Sequence, residues 1–187
     1  MTFTLIIAAE EAEDIEVMKL LVEAGVDVQK EVFGLTTLDA CVRFASKKSL
    51  EMLQYVYPFI TEPFLLGKAI FECIESSVIT RAHTMYEDEY TIHCVKYLHE
   101  RGGGVNYVDH KGDSALHIVA GVMDMHLPCE DIRDFLLFNG ADYNLKNNRG
   151  ETPLSIFERR GDKESLEVIS SIENAIMAGK TIGGDAV

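Results

Sequence analysis

One short pattern recurs along this chain. Self-similarity at a fixed period constrains a fold more than local propensity does, because like units must pack each against the next. The pattern reads Asn139-Gly140-Ala141-Asp142-Tyr143-Asn144, then Asn148-Arg149-Gly150-Glu151-Thr152-Pro153-Leu154. An earlier stretch answers it, from Arg101-Gly102-Gly103-Gly104-Val105-Asn106 to Gly112-Asp113-Ser114-Ala115-Leu116-His117.

The segment before each closing glycine is an amphipathic helix that a left-handed glycine can terminate. Counting back from Gly25, Gly102 and Gly140, the fourth residue is Leu21, Leu98 and Leu136. The fifth is Leu20, Tyr97 and Phe135, and the eighth is Val17, Cys94 and Ile132. One helical face is thus written three times. Met52-Leu53 and Val168-Ile169 keep the apolar pair without the glycine. The markers Leu21, Leu53, Leu98, Leu136 and Ile169 are spaced by 32, 45, 38 and 33 residues, as expected for five repeats of a period near 33 with insertions. A second helix precedes each of these. Thr152-Pro153-Leu154 marks one start, with proline at a position whose missing N–H costs nothing. Thr36-Thr37-Leu38 and Ser114-Ala115-Leu116 occupy the same place, each two residues after Gly34 or Gly112.

These residues resemble the ankyrin repeat. The family's G-x-T-P-L-H-x-A opening is matched by Gly150 to Phe157, Gly112 to Val119 and Gly34 to Cys41. Its L-L-x-x-G-A-D-x-N close is matched at Leu136 to Asn144, and more weakly at Leu20 to Gln29 and Tyr97 to Asn106. The resemblance implies an all-α fold, a helix-turn-helix solenoid with β-hairpin fingers. The repeats would fall near 1–30, 31–60, 61–108, 109–146 and 147–179, in a single domain over 1–179 with a flexible tail at 180–187. The third repeat departs from the pattern. Gln54 to Ile60 holds no glycine and Pro63-Phe64-Leu65 restarts a helix early, so the finger between repeats two and three is expected to be truncated. Surplus residues fall between paired helices at Ser76 to Tyr90 and Gly121 to Glu130, on the rim away from the finger tips.

A chain of 187 residues with 47% apolar and 26% charged residues has the make-up of one folded domain. Its net charge of -14 opposes binding to nucleic acid or an anionic membrane, both of which reward Lys and Arg, and favours a protein partner with a basic or mixed-charge surface. Cys41, Cys73, Cys94 and Cys129 form no C-x-x-C, which fits reduced thiols in a cytosol. The apolar run Phe3 to Ala9 lacks a basic flank, no stretch approaches a membrane span, and no N-x-Ser/Thr sequon occurs. A cytoplasmic monomer is expected, placed in a host cytosol if it is a secreted effector.

Catalytic and metal motifs are weak. Gly179-Lys180-Thr181 lacks the upstream glycine of a phosphate loop. His93 and His99 lie on different helical faces, and Cys94 falls on a core position. Glu87-Asp88-Glu89 lacks calcium-loop spacing. Met123, Met125, His126 and Cys129 form the one soft-ligand group, and a metal-binding protein or enzyme using that loop is the competing reading. Otherwise no catalytic residue and no cofactor is expected. The family resemblance implies a non-enzymatic protein-protein interaction module, as an inhibitor or immunity protein or as a host-directed effector or scaffold, binding through the concave face and finger tips at positions that flank the opening glycine and end the first helix. Those positions are Val32, Phe33, Leu35, Arg43 and Phe44 in repeat two, His110, Lys111 and Asp113 in repeat four, and Arg149, Glu151, Arg159 and Arg160 in repeat five. The apolar Val32, Phe33 and Leu35 would either cover the place of the truncated finger or form a binding hot spot.

Overall fold

The computed structural model describes residues 4, 6, 7, 9, 15–43, 46–81, 89–122 and 129–179. It divides into two units, Met1–Gly104 and Val105–Val187. The N-terminal unit holds α1 (Ile15–Glu23), α2 (Thr37–Val42), α3 (Lys47–Val56), a 3-10 turn (Tyr57–Phe59), α4 (Pro63–Arg81) and α5 (Glu89–His99). The C-terminal unit holds α6 (Ala115–Val122), α7 (Glu130–Phe138), α8 (Pro153–Arg160) and α9 (Lys163–Met177).

The first helices α2, α6 and α8 open on one device. Thr36 Oγ1 accepts the Asp39 N–H at 3.2 Å while Asp39 Oδ2 accepts the Thr36 N–H at 2.8 Å. Thr152 and Ser155 make the same reciprocal pair at 3.0 and 2.9 Å. At α6 the acceptor is an imidazole, His117 Nδ1, bonded by the Ser114 N–H at 3.0 Å. Each pair satisfies backbone donors that the first turn of a helix leaves without partners.

The second helices α1, α5 and α7 close on a second shared device. Gly25, Gly102 and Gly140 have φ of 81°, 97° and 82°. The next residue in each case returns its N–H to the marker leucine: Val26 to Leu21 at 3.1 Å, Gly103 to Leu98 at 3.0 Å and Ala141 to Leu136 at 2.9 Å. A left-handed residue is what such a cap demands, and only glycine adopts it without a Cβ penalty.

Within the N-terminal unit α2 pairs with α3 and α4 with α5. Between pairs α2 packs on α4, and α1 and α5 each pack on α3. First and second helices therefore form separate rows. The C-terminal unit repeats the plan, with α6 on α8 in one row and α7 on α9 in the other. The marker residues Leu53, Leu98 and Leu136 are fully buried and Ile169 nearly so. In α1 the buried residue is Met18, and Val17 is 39% exposed, although Cys94 and Ile132 at the same register are buried. The physical reason is position: α1 packs on α3, and among the described residues it is the outermost helix of its row.

Other expectations are modified. No strand forms among the described residues. In place of extended fingers are tight turns, with isolated bridges at Val32↔Leu35 and Val108↔Ser114. The connection between repeats two and three is as short as its sequence implies, since residues 60–62 alone separate the 3-10 turn from α4. The surplus at Ser76 to Tyr90 is partly helix: α4 runs on to Arg81 and α5 begins at Glu89. Residues 82–88 lie outside the described set, as do 123–128 and 180–187. Arg101 closes the end of α5, its guanidinium carbon 3.4 Å from the Tyr97 ring centre and 5.4 Å from that of Tyr57. No helix among the described residues is long and apolar enough to cross a membrane.

Candidate functional site

Turns joining the repeats carry most of the residues singled out in the sequence, and side-chain oxygens shape them. Asn147 Oδ1 accepts the N–H groups of Arg149 at 2.9 Å and Glu151 at 3.0 Å. Thirty-eight residues earlier, the spacing of Leu98 and Leu136, Asp109 Oδ1 accepts those of Lys111 and Asp113, each at 2.8 Å. Such bonds replace a strand ladder and explain why no longer finger is needed. The two turns dock. The Asn147 amide donates to Asp113 Oδ1 at 2.6 Å. Asn148 donates to Lys111 O from its backbone at 2.9 Å and to His110 O from its side chain at 3.1 Å.

This arrangement sorts the candidates of the C-terminal unit. His110 and Lys111 stand exposed at a turn tip. Asp113 is buried, held by Asn147 and by Arg149 Nη2 at 3.5 Å. Arg149 Nε bonds Glu151 at 2.9 Å, and Arg159 bonds the other Glu151 oxygen. The Arg159 guanidinium holds the Glu151 carboxyl below the usual carboxylate range, with Arg149 adding to the effect. Asp113, Arg149, Glu151 and Arg159 thus form one surface network, with Arg149 and Arg159 mostly exposed. Arg160 is directed instead to the Gly121 carbonyl.

In the N-terminal unit, Val32 and Leu35 exchange backbone bonds at 2.9 and 3.1 Å around Phe33-Gly34. Phe33 has φ of 53° and Gly34 of 84°, the two left-handed positions of a turn that ordinarily takes Asn-Gly. Val32 and Leu35 are half-buried, whereas Phe33 is 91% exposed. Arg43 is half-buried at the end of α2, and Phe44 lies outside the described residues.

Sequence reasoning passed over the residue that ties this turn to its neighbour. Asp39 stands where the resemblance places histidine, and its side chain is fully buried with Oδ2 3.0 Å from Lys68 Nζ on α4. Lys68 also donates to Gly34 O at 2.7 Å. His117 makes the equivalent link in the C-terminal unit: with Nδ1 accepting, its Nε2–H donates to Glu151 O at 3.2 Å. Ser155, in the last repeat, turns its hydroxyl back to Thr152 O. The third residue of each capping pair therefore closes its own helix and, where a repeat follows, reaches it. A basic residue on the first helix of the next repeat was the available signal.

Glu72, one turn beyond Lys68 on α4, is half-buried. Burial first, then the charges of Asp39 and Glu75, raise its carboxyl above the usual range, against the pull of Lys68 and Arg43. A raised acid binds its proton more tightly in the folded chain. Its contribution is therefore favourable at low pH and lost as pH rises through the raised value. Glu72→Gln is expected to raise the thermal midpoint at about pH 7, a difference that should close at about pH 4. Equal midpoints at both pH values would show that Glu72 is not under this strain.

Burial also disposes of the thiols as reactive groups: all four cysteines are buried, and burial pushes the Cys41 thiol far up. Cys94 lies in the core, as its register requires. Among the described residues no three His, Cys, Asp or Glu side chains group to hold a metal ion. Of the Met123 to Cys129 loop, Cys129 alone is described, buried at the start of α7.

No family model matches the chain. A protein of Acanthamoeba polyphaga mimivirus described as an ankyrin repeat protein is 26% identical over 114 residues, 61% of this chain. The matched stretch spans 15% of that relative's length.

Proposed function

We propose that this chain is an ankyrin-type, non-enzymatic module that binds a protein partner through its turn tips and the exposed ends of its first helices. The paired helices, the repeated caps and the distant mimiviral relative support the reading. The observation that carries it is Phe33. A bulky aromatic held at positive φ costs about 1–2 kcal/mol relative to a residue at ease there, and nine-tenths of this one is in water. Neither local conformation nor core packing rewards phenylalanine at this position. A partner that buries the ring would, since exposed aromatics set in a polar surround are the usual anchors of interfaces.

Phe33→Asn separates these terms. The variant turn becomes Asn-Gly, so the chain is expected to gain about 1 kcal/mol and its thermal midpoint to rise by about 2–4 °C. Capture of partner from the native cell is expected to weaken by about tenfold or more. A variant that is more stable yet captures the same proteins as well as wild type would remove Phe33 as an anchor. The captured protein also separates the two roles within binding: an inhibited enzyme or toxin marks an inhibitor, and a multi-protein assembly marks a scaffold.

A further inference from the structure

The two turns of the C-terminal unit dock tip to tip through Asn147 and Asn148. Among the described residues no second turn docks in this way on Val32 to Leu35, because the chain passes from α3 through residues 60–62 into α4 without making one. An apolar edge stands there: Phe33 is 91% and Phe64 60% exposed. Gln29 gathers this edge. Its Oε1 accepts the N–H and hydroxyl of Thr61 at 2.8 and 3.1 Å and the Glu62 N–H at 3.2 Å, which pins the start of α4 beside the loop carrying Phe33. Lys68, one turn beyond Phe64 on the same face of α4, reaches Gly34 O at 2.7 Å, so Phe33 and Phe64 flank one contact.

The rim of this edge is acidic. Glu31 and Glu62 are exposed, and a Glu31 oxygen lies 3.8 Å from where a Gly34 Cβ would stand. Asp27 is spent on the Gln29 N–H. Lys68 is paired with Asp39, which leaves Lys30 as the exposed cation of the loop. We propose that this edge takes an exposed turn or extended segment of a partner protein in which a Lys or Arg sits beside an aliphatic or aromatic residue. The apolar side chain packs on Phe33 and Phe64, and the cation answers Glu31 and Glu62. Burying the apolar contact excludes water from the rim and strengthens its charge pairing, while an acidic segment is repelled. The inference rests on the binding-module reading and adds the chemistry of the partner.

A random-peptide phage library panned on the full chain tests it. Enriched peptides are expected to combine a basic residue with a neighbouring large apolar one. Synthetic copies are expected to bind about tenfold or more weakly to Phe33→Ser/Phe64→Ser and about threefold more weakly to Glu31→Gln/Glu62→Gln. Both rings are exposed, so an unchanged helical circular-dichroism signal shows that the variants fold. Failure to enrich any peptide overturns the proposal, as do peptides that bind the serine variant as well as wild type. Peptides that need both phenylalanines but carry no basic residue overturn the charged partner while leaving the module intact. Capture from the native cell by Phe33→Asn judges the module separately.

Discussion

Lys68→Met is expected to lower the stability of the folded chain by about 3–5 kcal/mol, the usual cost of removing one member of a buried ion pair, and its thermal midpoint by on the order of 10 °C. The Asp39 carboxylate has no exposed surface, its Oδ1 has no hydrogen-bond partner, and its Oδ2 is shared between the Thr36 N–H and the Lys68 ammonium. Removing the ammonium leaves a buried negative charge facing one backbone donor. Methionine keeps most of the lysine stem's packing, so the loss reports charge more than volume. Lys68→Met/Asp39→Asn is expected to regain most of the deficit, because the asparagine oxygen still caps Thr36 and no charge is stranded. Urea unfolding of the two variants decides the point. A single variant as stable as the double would show that the pair is solvated and not a structural link between α2 and α4.

Asn147→Ala is expected to cost about 2–4 kcal/mol. The side chain is nearly buried and engages three groups, the N–H groups of Arg149 and Glu151 and the Asp113 carboxylate. Each buried polar group left without a partner costs about 1–3 kcal/mol. Both N–H groups lie close to the exposed face of the turn and can take up water, which holds the total below the sum. Loss of this hub also frees the turn that presents Arg149, so protection of the Arg149 and Glu151 amides from hydrogen exchange should fall before that of the α8 core. A deficit under about 1 kcal/mol with unchanged protection would mean that water substitutes for the amide and the docking of the turns is held elsewhere.

The parts of this protein legible in its residues are those that short-range chemistry dictates. Gly25, Gly102 and Gly140 stand two or three positions past the end of a helix and Gly34, Gly112 and Gly150 two positions before a cap, and all six adopt the left-handed conformation that glycine alone takes freely. The caps at Thr36, Ser114 and Thr152 follow from a polar side chain three residues on. The buried marker residues follow from helical periodicity. Such features need a few neighbouring residues and so survive translation from string to structure.

What the sequence could not reveal depends on partners about thirty residues away. Asp39 and Asn147 look like ordinary solvated residues until packing sets Lys68 and Asp113 against them. Arg133, a charged residue on α7, is buried, its guanidinium bonded to Asp134 and to Glu164 and Ser165 of α9. Asp113, expected at a recognition surface, is instead internal to a turn. Phe33 was ambiguous between cover and anchor, because an apolar residue in a turn has no local rule to set its exposure. The residues of this chain determine by themselves where helices start and stop and which face of each is apolar, since both are properties of a few successive dihedrals and side chains. The tertiary structure alone decides which polar groups are buried and paired and which aromatic faces water, since desolvation is set by what packs from a distant part of the chain.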